Sequence, residues 1–247
     1  MFRTLVFHEV RPQKELNGRQ RPIAVSDGYE DSLPLPLFDS LPLFEEQINY
    51  LKDAGYHSLS IGEVQGFYEK KLLLPEKSVL LTFDDCYQSM KEYAYPVLKK
   101  AGWKAAAFVV SGWLFDEPSA YDPNSSRVLS TAELEEMRDV FEYVNHTSHF
   151  HRRKGTTMSS AMWETTEDFK QDLYDCNQFV DIKDAFAYPF GLYDQRTIDT
   201  LKEMSFKLAF TTKPGVNTKD THPLELHRDV IPYSLSIEQF KNLMEEV

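Results

Sequence analysis

The chain has 247 residues, 42% apolar and 13% aromatic, and its 27 Lys+Arg against 39 Asp+Glu give a net charge of −12. That composition excludes a disordered chain and argues against a nucleic-acid backbone or an anionic membrane as the main partner. Two cysteines, Cys86 and Cys176, are too few for a disulfide framework, and no apolar run approaches the ~20 residues of a bilayer span.

The opening ten residues are too short for a signal-peptide core and run straight into charge, so residues 4–7 read as a first strand. On this reading the protein is cytoplasmic or a mature form without its leader. Residues 11–36, rich in charge, Gly and Pro and including Leu33-Pro34-Leu35-Pro36, look unstructured, and a connection of that length is functional or mobile. Leu43, Phe44, Ile48 and Leu51 at helical spacing predict a helix over 41–54, stopped by Gly55. A strand is expected at 57–61 and a short helix at 63–70. The run Val79-Leu80-Leu81-Thr82-Phe83 predicts a buried strand over 78–83 that ends in Asp84-Asp85. Residues 87–100 read as a helix ended by Gly102, with Pro96 as a kink point, and 105–110 as another buried strand. Ser130 with Glu133 makes a capping box before a helix at 132–139. Residues 141–145 form a strand running into His146, followed by a helix at 163–179, a strand at 185–188 and a helix at 195–204. The last strands fall at 207–211 and 226–231, and Ser236 with Gln239 caps a terminal helix. Buried strands alternating with helices mean parallel α/β architecture. Seven or eight strand candidates suit one barrel domain over residues 1–247 better than a small open sheet.

In such barrels the chemistry collects where strands end. Four polar clusters sit there: His8, Asp84-Asp85, the run 145–151 and the run 186–191. Two adjacent carboxylates repel, which a cation relieves; the same pair could instead cap a helix and face solvent. Three of the seven histidines, His146, His149 and His151, fall within six residues. Two imidazoles and one carboxylate leave a divalent ion with open positions, the pattern of catalytic zinc. His-Glu-x-x-His and finger-spaced cysteines are absent. His8 gains a role only if its strand end opens onto the same cavity as Asp84; His57, His222 and His227 read as structural. Ala187-Tyr188-Pro189-Phe190-Gly191 is either a plain turn or a rigid loop presenting a backbone N–H beside aromatic faces for a sugar.

Together these residues resemble the polysaccharide deacetylases of carbohydrate esterase family four, the NodB-homology fold, a distorted parallel (β/α) barrel of about seven strands. The family's Thr-Phe-Asp-Asp-Gly is here Thr82-Phe83-Asp84-Asp85-Cys86, which implies Asp84 as catalytic base and Asp85 as metal ligand. Most members follow a His-Ser/Thr pair with a second His four residues on, where this chain has Phe150. A subgroup acting on poly-N-acetylglucosamine places it five residues on, as in His146-Thr147…His151. The resemblance therefore implies His146 and His151 as the other ligands and leaves His149 beside the site or on the substrate.

That subgroup is circularly permuted, with its catalytic-acid histidine on the first strand in a phrase matched by Phe7-His8-Glu9-Val10. The family's Arg-x-Pro-x-Gly is here Ala187-Tyr188-Pro189-Phe190-Gly191, so the arginine that orients the base is missing and Arg228 is the substitute. Tyr188, Pro189, Phe190, Gly191 and Arg228 make the implied substrate-binding set, with Trp113 a further stacking candidate. The implied activity is zinc-dependent hydrolysis of N-acetyl groups on an N-acetylhexosamine polysaccharide, with Co2+ as an alternative metal. Cys86 and Ala187 leave open a degenerate member that binds carbohydrate without turnover. Arg152-Arg153-Lys154 is the one cluster that a phosphoesterase reading would use.

Overall fold

The structure, a computed structural model, describes residues 1–16, 20–70 and 72–246. Its centre is a parallel sheet of β1 (Arg3–Phe7), β2 (His57–Ser58), β3 (Ser78–Asp84), β4 (Ala105–Val109), β5 (Phe141–Asn145), β6 (Ile182–Ala187), β7 (Leu208–Phe210) and β8 (Asp229–Val230). Seven strands lie side by side in the order β7-β6-β5-β4-β3-β1-β8, and β2 pairs with the start of β3. Every residue of β1, β3 and β4 is buried, as strands covered on both faces must be.

One segment curls this sheet into a distorted barrel. Leu226 bridges Phe210 of β7, while Asp229 and Val230 pair with Leu5 and Val6 of β1. The single strand expected at 226–231 is thus split between the two ends of the sheet. Arg228 stands at the changeover, its side chain fully buried and its Nε donating to the Thr211 carbonyl at 2.8 Å.

The helices are α1 (Leu41–Asp53), α2 (Ile61–Glu69), α3 (Tyr95–Ala101), α4 (Thr131–Glu135), α5 (Ser160–Trp163), α6 (Thr166–Cys176), α7 (Gln195–Glu203) and α8 (Ile237–Glu245). Capping boxes at Ser60, Ser130, Asp194 and Ser236 start α2, α4, α7 and α8. The helix expected at 163–179 is two, because Glu164 and Thr165 are extended and the Thr165 side chain accepts from the Asp168 N–H to begin α6. Pro96 does not kink a helix. It sits in the first turn of α3, where its missing N–H is harmless, after a wide turn over Met90–Ala94.

Residues 11–36 are not an unstructured connection. Arg21–Ala24 pairs antiparallel with Ser32–Leu33 and parallel with Ser126–Arg127, and Phe38–Ser40 pairs with Glu9–Arg11. The charges that suggest disorder are used internally. Buried Arg11 donates to both oxygens of Glu9, at 3.0 and 2.8 Å, and to the carbonyls of Pro123 and Ser125. Residues 17–19 of this stretch lie outside the described residues. No helix among the described residues is long and apolar enough to cross a membrane.

Candidate active site

The C-terminal ends of β1, β3, β5 and β6 deliver His8, Asp84-Asp85, the run from His146 and the turn at 188–191 to one end of the barrel. His8, Asp84, Asp85, His146, His151 and Phe190 all line a single cavity of about 300 Å³ there.

Asp85 Oδ1 lies 3.7 Å from His146 Nε2 and 3.3 Å from His151 Nε2, and the three ligand atoms are all within 4.8 Å of one another. His146 Nδ1 is 2.8 Å from the Ala187 carbonyl oxygen. A carbonyl only accepts, so Nδ1 carries the proton and the Nε2 lone pair is left facing Asp85. Asp85 Oδ1 is buried and has no hydrogen-bond partner. Burial and the neighbouring Asp84 charge push the Asp85 carboxyl up to about 8, while burial holds His146 down at about 4 and His151 well below the usual imidazole range. An orphaned carboxylate oxygen facing two neutral imidazoles fits a divalent cation, which relieves the first shift and uses the lone pairs the second preserves.

Asp84 has the opposite fate. Arg228 forks onto it, Nη1 to Oδ1 at 2.7 Å and Nη2 to Oδ2 at 2.9 Å. Burial works against charge on Asp84, but Arg228, together with His146 and His8, outweighs it and holds the carboxylate at about 2. His8 Nε2 is 4.0 Å from Asp84 Oδ2, and His8 Nδ1 is buried without a partner. Burial lowers the His8 pKa, with Asp84 pulling the other way.

The backbone is bent hard around these groups. Asp85, Cys86, Thr147 and Phe190 have φ of 72°, 58°, 78° and 59°, four of the five non-glycine residues with positive φ among the described residues. Such strain persists only where the surroundings impose it. Asn145 Oδ1 accepts from the Thr147 N–H at 2.9 Å. Asp172 of α6 accepts from the backbone N–H groups of Ser148 and His149 at 2.8 and 2.6 Å, fixing the chain between His146 and His151. No motif marks Asp172 in the sequence; only its burial reveals it.

Several expectations need correction. Tyr188 is not a sugar platform: its ring is buried, it stacks on Tyr193, and its hydroxyl donates to the Leu224 carbonyl. Pro189 is buried with it and supports the turn rather than the cavity wall. Arg228, expected both as the substitute for the base-orienting arginine and in the substrate-binding set, forks onto Asp84 as the first role requires, while it is fully buried and is not among the residues lining the cavity. Phe190 and Gly191 do line the cavity. A side chain at position 191, where φ is 69°, would run into Thr212. Trp113 and Phe190 flank His151 with ring centres 4.5 and 4.3 Å away. His149 turns outward, its imidazole more than half exposed against Gly112 and 3.4 Å from Asp27. Arg152 and Arg153 pair with Asp27 and Asp31.

A family model described as polysaccharide deacetylase matches residues 72–209, more than half of the chain. The chain belongs to the polysaccharide deacetylase family. Among curated relatives, a poly-beta-1,6-N-acetyl-D-glucosamine N-deacetylase of Staphylococcus aureus is 28% identical to this family member over 195 residues, 76% of this chain and 66% of that one. The chain spans 62% and 66% of the length of two curated relatives it matches. Solved structures of the same fold include the Streptococcus pyogenes deacetylase PplD, with a TM-score of 0.76 at 24% identity, covering 99% of this chain and 98% of that one. IcaB from Ammonifex degensii matches at 0.73 and 22% identity, covering 98% and 95%.

Proposed function

We propose that this chain is a metal-dependent N-deacetylase that removes acetate from an N-acetylhexosamine-containing polysaccharide, with residues 1–247 acting as one catalytic domain. The observation that carries the reading is the unpartnered Asp85 Oδ1 facing two Nε2 atoms, beside a charged carboxylate in the same cavity. Asp85, His146 and His151 would hold the ion, with Zn2+ the first candidate and Co2+ the second. When bound, such an ion supplies a Lewis acid for the amide carbonyl and a water acidic enough for so weak a base as Asp84.

Asp84 takes the proton on its carboxylate, which Arg228 keeps charged and fixed in orientation. His8 gives a proton from Nε2 to the departing amine nitrogen, which would otherwise leave as an anion. Trp113 and Phe190 close the cavity around His151 and exclude water from the reacting amide.

The test is metal analysis of the purified chain paired with acetate release from N-acetylglucosamine oligomers. The polymer named for the Staphylococcus aureus relative, poly-beta-1,6-N-acetyl-D-glucosamine, is the first long substrate to try. The expected result is about one divalent ion per chain, with acetate release lost on chelation and restored by zinc. Release that continues at full rate in the chelated protein refutes the metal-dependent reading.

A further inference from the structure

The His149, Arg152 and Arg153 side chains take no part in the proposed chemistry, yet all three point at one acidic loop. Asp27 Oδ2 accepts from Arg152 Nη2 at 3.2 Å and lies 3.4 Å from His149 Nδ1. Arg153 forks onto Asp31, Nε to Oδ2 at 3.1 Å and Nη2 to Oδ1 at 3.0 Å. Between the two pairs stands Tyr29. Its N–H donates to Asp27 Oδ1 at 3.0 Å and its hydroxyl to Asp31 Oδ2 at 3.4 Å. Its ring stacks on Trp113 at 5.9 Å with 16° between planes, and the Arg152 guanidinium lies 5.6 Å from its centre.

Tyr29, Asp31, Trp113 and Arg153 belong to the cavity wall. From His151 the rings step outward, to Trp113 and then to Tyr29, which brings Tyr29 beyond the space for the reacting acetamide. Arg153 spends two of its five N–H donors on Asp31 and keeps the rest for hydroxyls. Isolated exposed ion pairs contribute little, but a bidentate fork within a network of charges is the arrangement that does hold.

We propose that Asp27–Arg152 and Asp31–Arg153 form a specificity clasp, fixing residues 27–31 against residues 149–153 so that Tyr29 and Arg153 make a rigid rim binding the sugar next to the one being deacetylated. This rests on the deacetylase reading of the cavity. The rim preorganises affinity for oligomers over single sugars, because its two halves come from segments more than a hundred residues apart in sequence and the two ion pairs join them directly.

The experiment titrates N-acetylglucosamine and its pentamer calorimetrically into the full chain and into Asp27→Asn, Asp31→Asn and Glu30→Gln. Glu30 is exposed and loses the same charge on the same loop without belonging to either ion pair. Pentamer dissociation constants should rise about fivefold in the two clasp variants, with monomer binding changed less than about twofold and Glu30→Gln like the parent. Equal losses for monomer and pentamer, unchanged pentamer binding in the clasp variants, or a parent that binds pentamer no tighter than monomer each overturn the clasp. Acetate release by the parent is scored separately: its failure sinks the deacetylase reading, while the titration still decides the rim.

Discussion

At the scale of single residues, the two adjacent aspartates are separated by their neighbours rather than by their chemistry. Arg228 keeps Asp84 ionised, whereas Asp85 Oδ1 has no hydrogen-bond partner and faces two imidazoles. Asp84→Asn is therefore expected to lower kcat by about 10²–10⁴-fold while leaving about one metal ion per chain. Steady-state acetate release and metal analysis on the same preparation check both halves; loss of the ion along with turnover would move Asp84 into the ligand set. The motif Thr82-Phe83-Asp84-Asp85 was legible because both side chains sit at a strand end. No local pattern joins Arg228 to Asp84 across 144 positions; only the resemblance offers it as the substitute for the base-orienting arginine, and its reach depends on residues 226–230 crossing between the two ends of the sheet.

At the scale of elements, α6 is more than a layer over the sheet. Its Asp172 gathers the N–H groups of Ser148 and His149 and so sets the spacing between His146 and His151. Asp172→Ala removes both acceptors, and metal affinity is expected to fall about 10–100-fold, as for other groups that orient ligands. A competition titration against a chelator of known affinity measures it, and an unchanged constant would mean the loop holds its shape unaided. Strand ends and capping boxes could be read from local pattern, since Ser60, Ser130 and Ser236 each act on an N–H three residues away. The excursion over residues 11–36 could not, because its pairing partner is Ser126–Arg127 and its charges are neutralised by contacts that only the folded chain supplies. Tyr188 misled for a related reason. An aromatic at a strand end can face either side of the turn, and the positive φ of Phe190 sends the neighbouring ring into the cavity instead.

At the scale of the whole molecule, buried carboxyls give stability a pH dependence that surface charge does not. Burial pushes Asp39 up to about 7, above its ordinary value of 3.8. A carboxyl raised on folding contributes stability that is full below about pH 4 and lost as pH climbs through about 7. Asp39→Asn removes that loss, so the variant should exceed the parent by at least about 1 kcal/mol at pH 8 and match it within about 0.5 kcal/mol at pH 4. Urea unfolding at the two pH values measures the difference, and a gap of the same size at both would assign the effect to packing. Asp84 runs the other way. Held at about 2, it adds stability above about pH 4 that disappears as the pH falls toward 2.

The crossing of residues 226–230 also has a consequence for the order of events on the ribosome. A nascent polypeptide that has emerged only as far as β7 already contains His8, both aspartates, His146 and His151, but not the guanidinium that keeps Asp84 ionised or the strand that joins the two rims of the sheet. Every group with a proposed chemical task is therefore translated before the piece that locks them together.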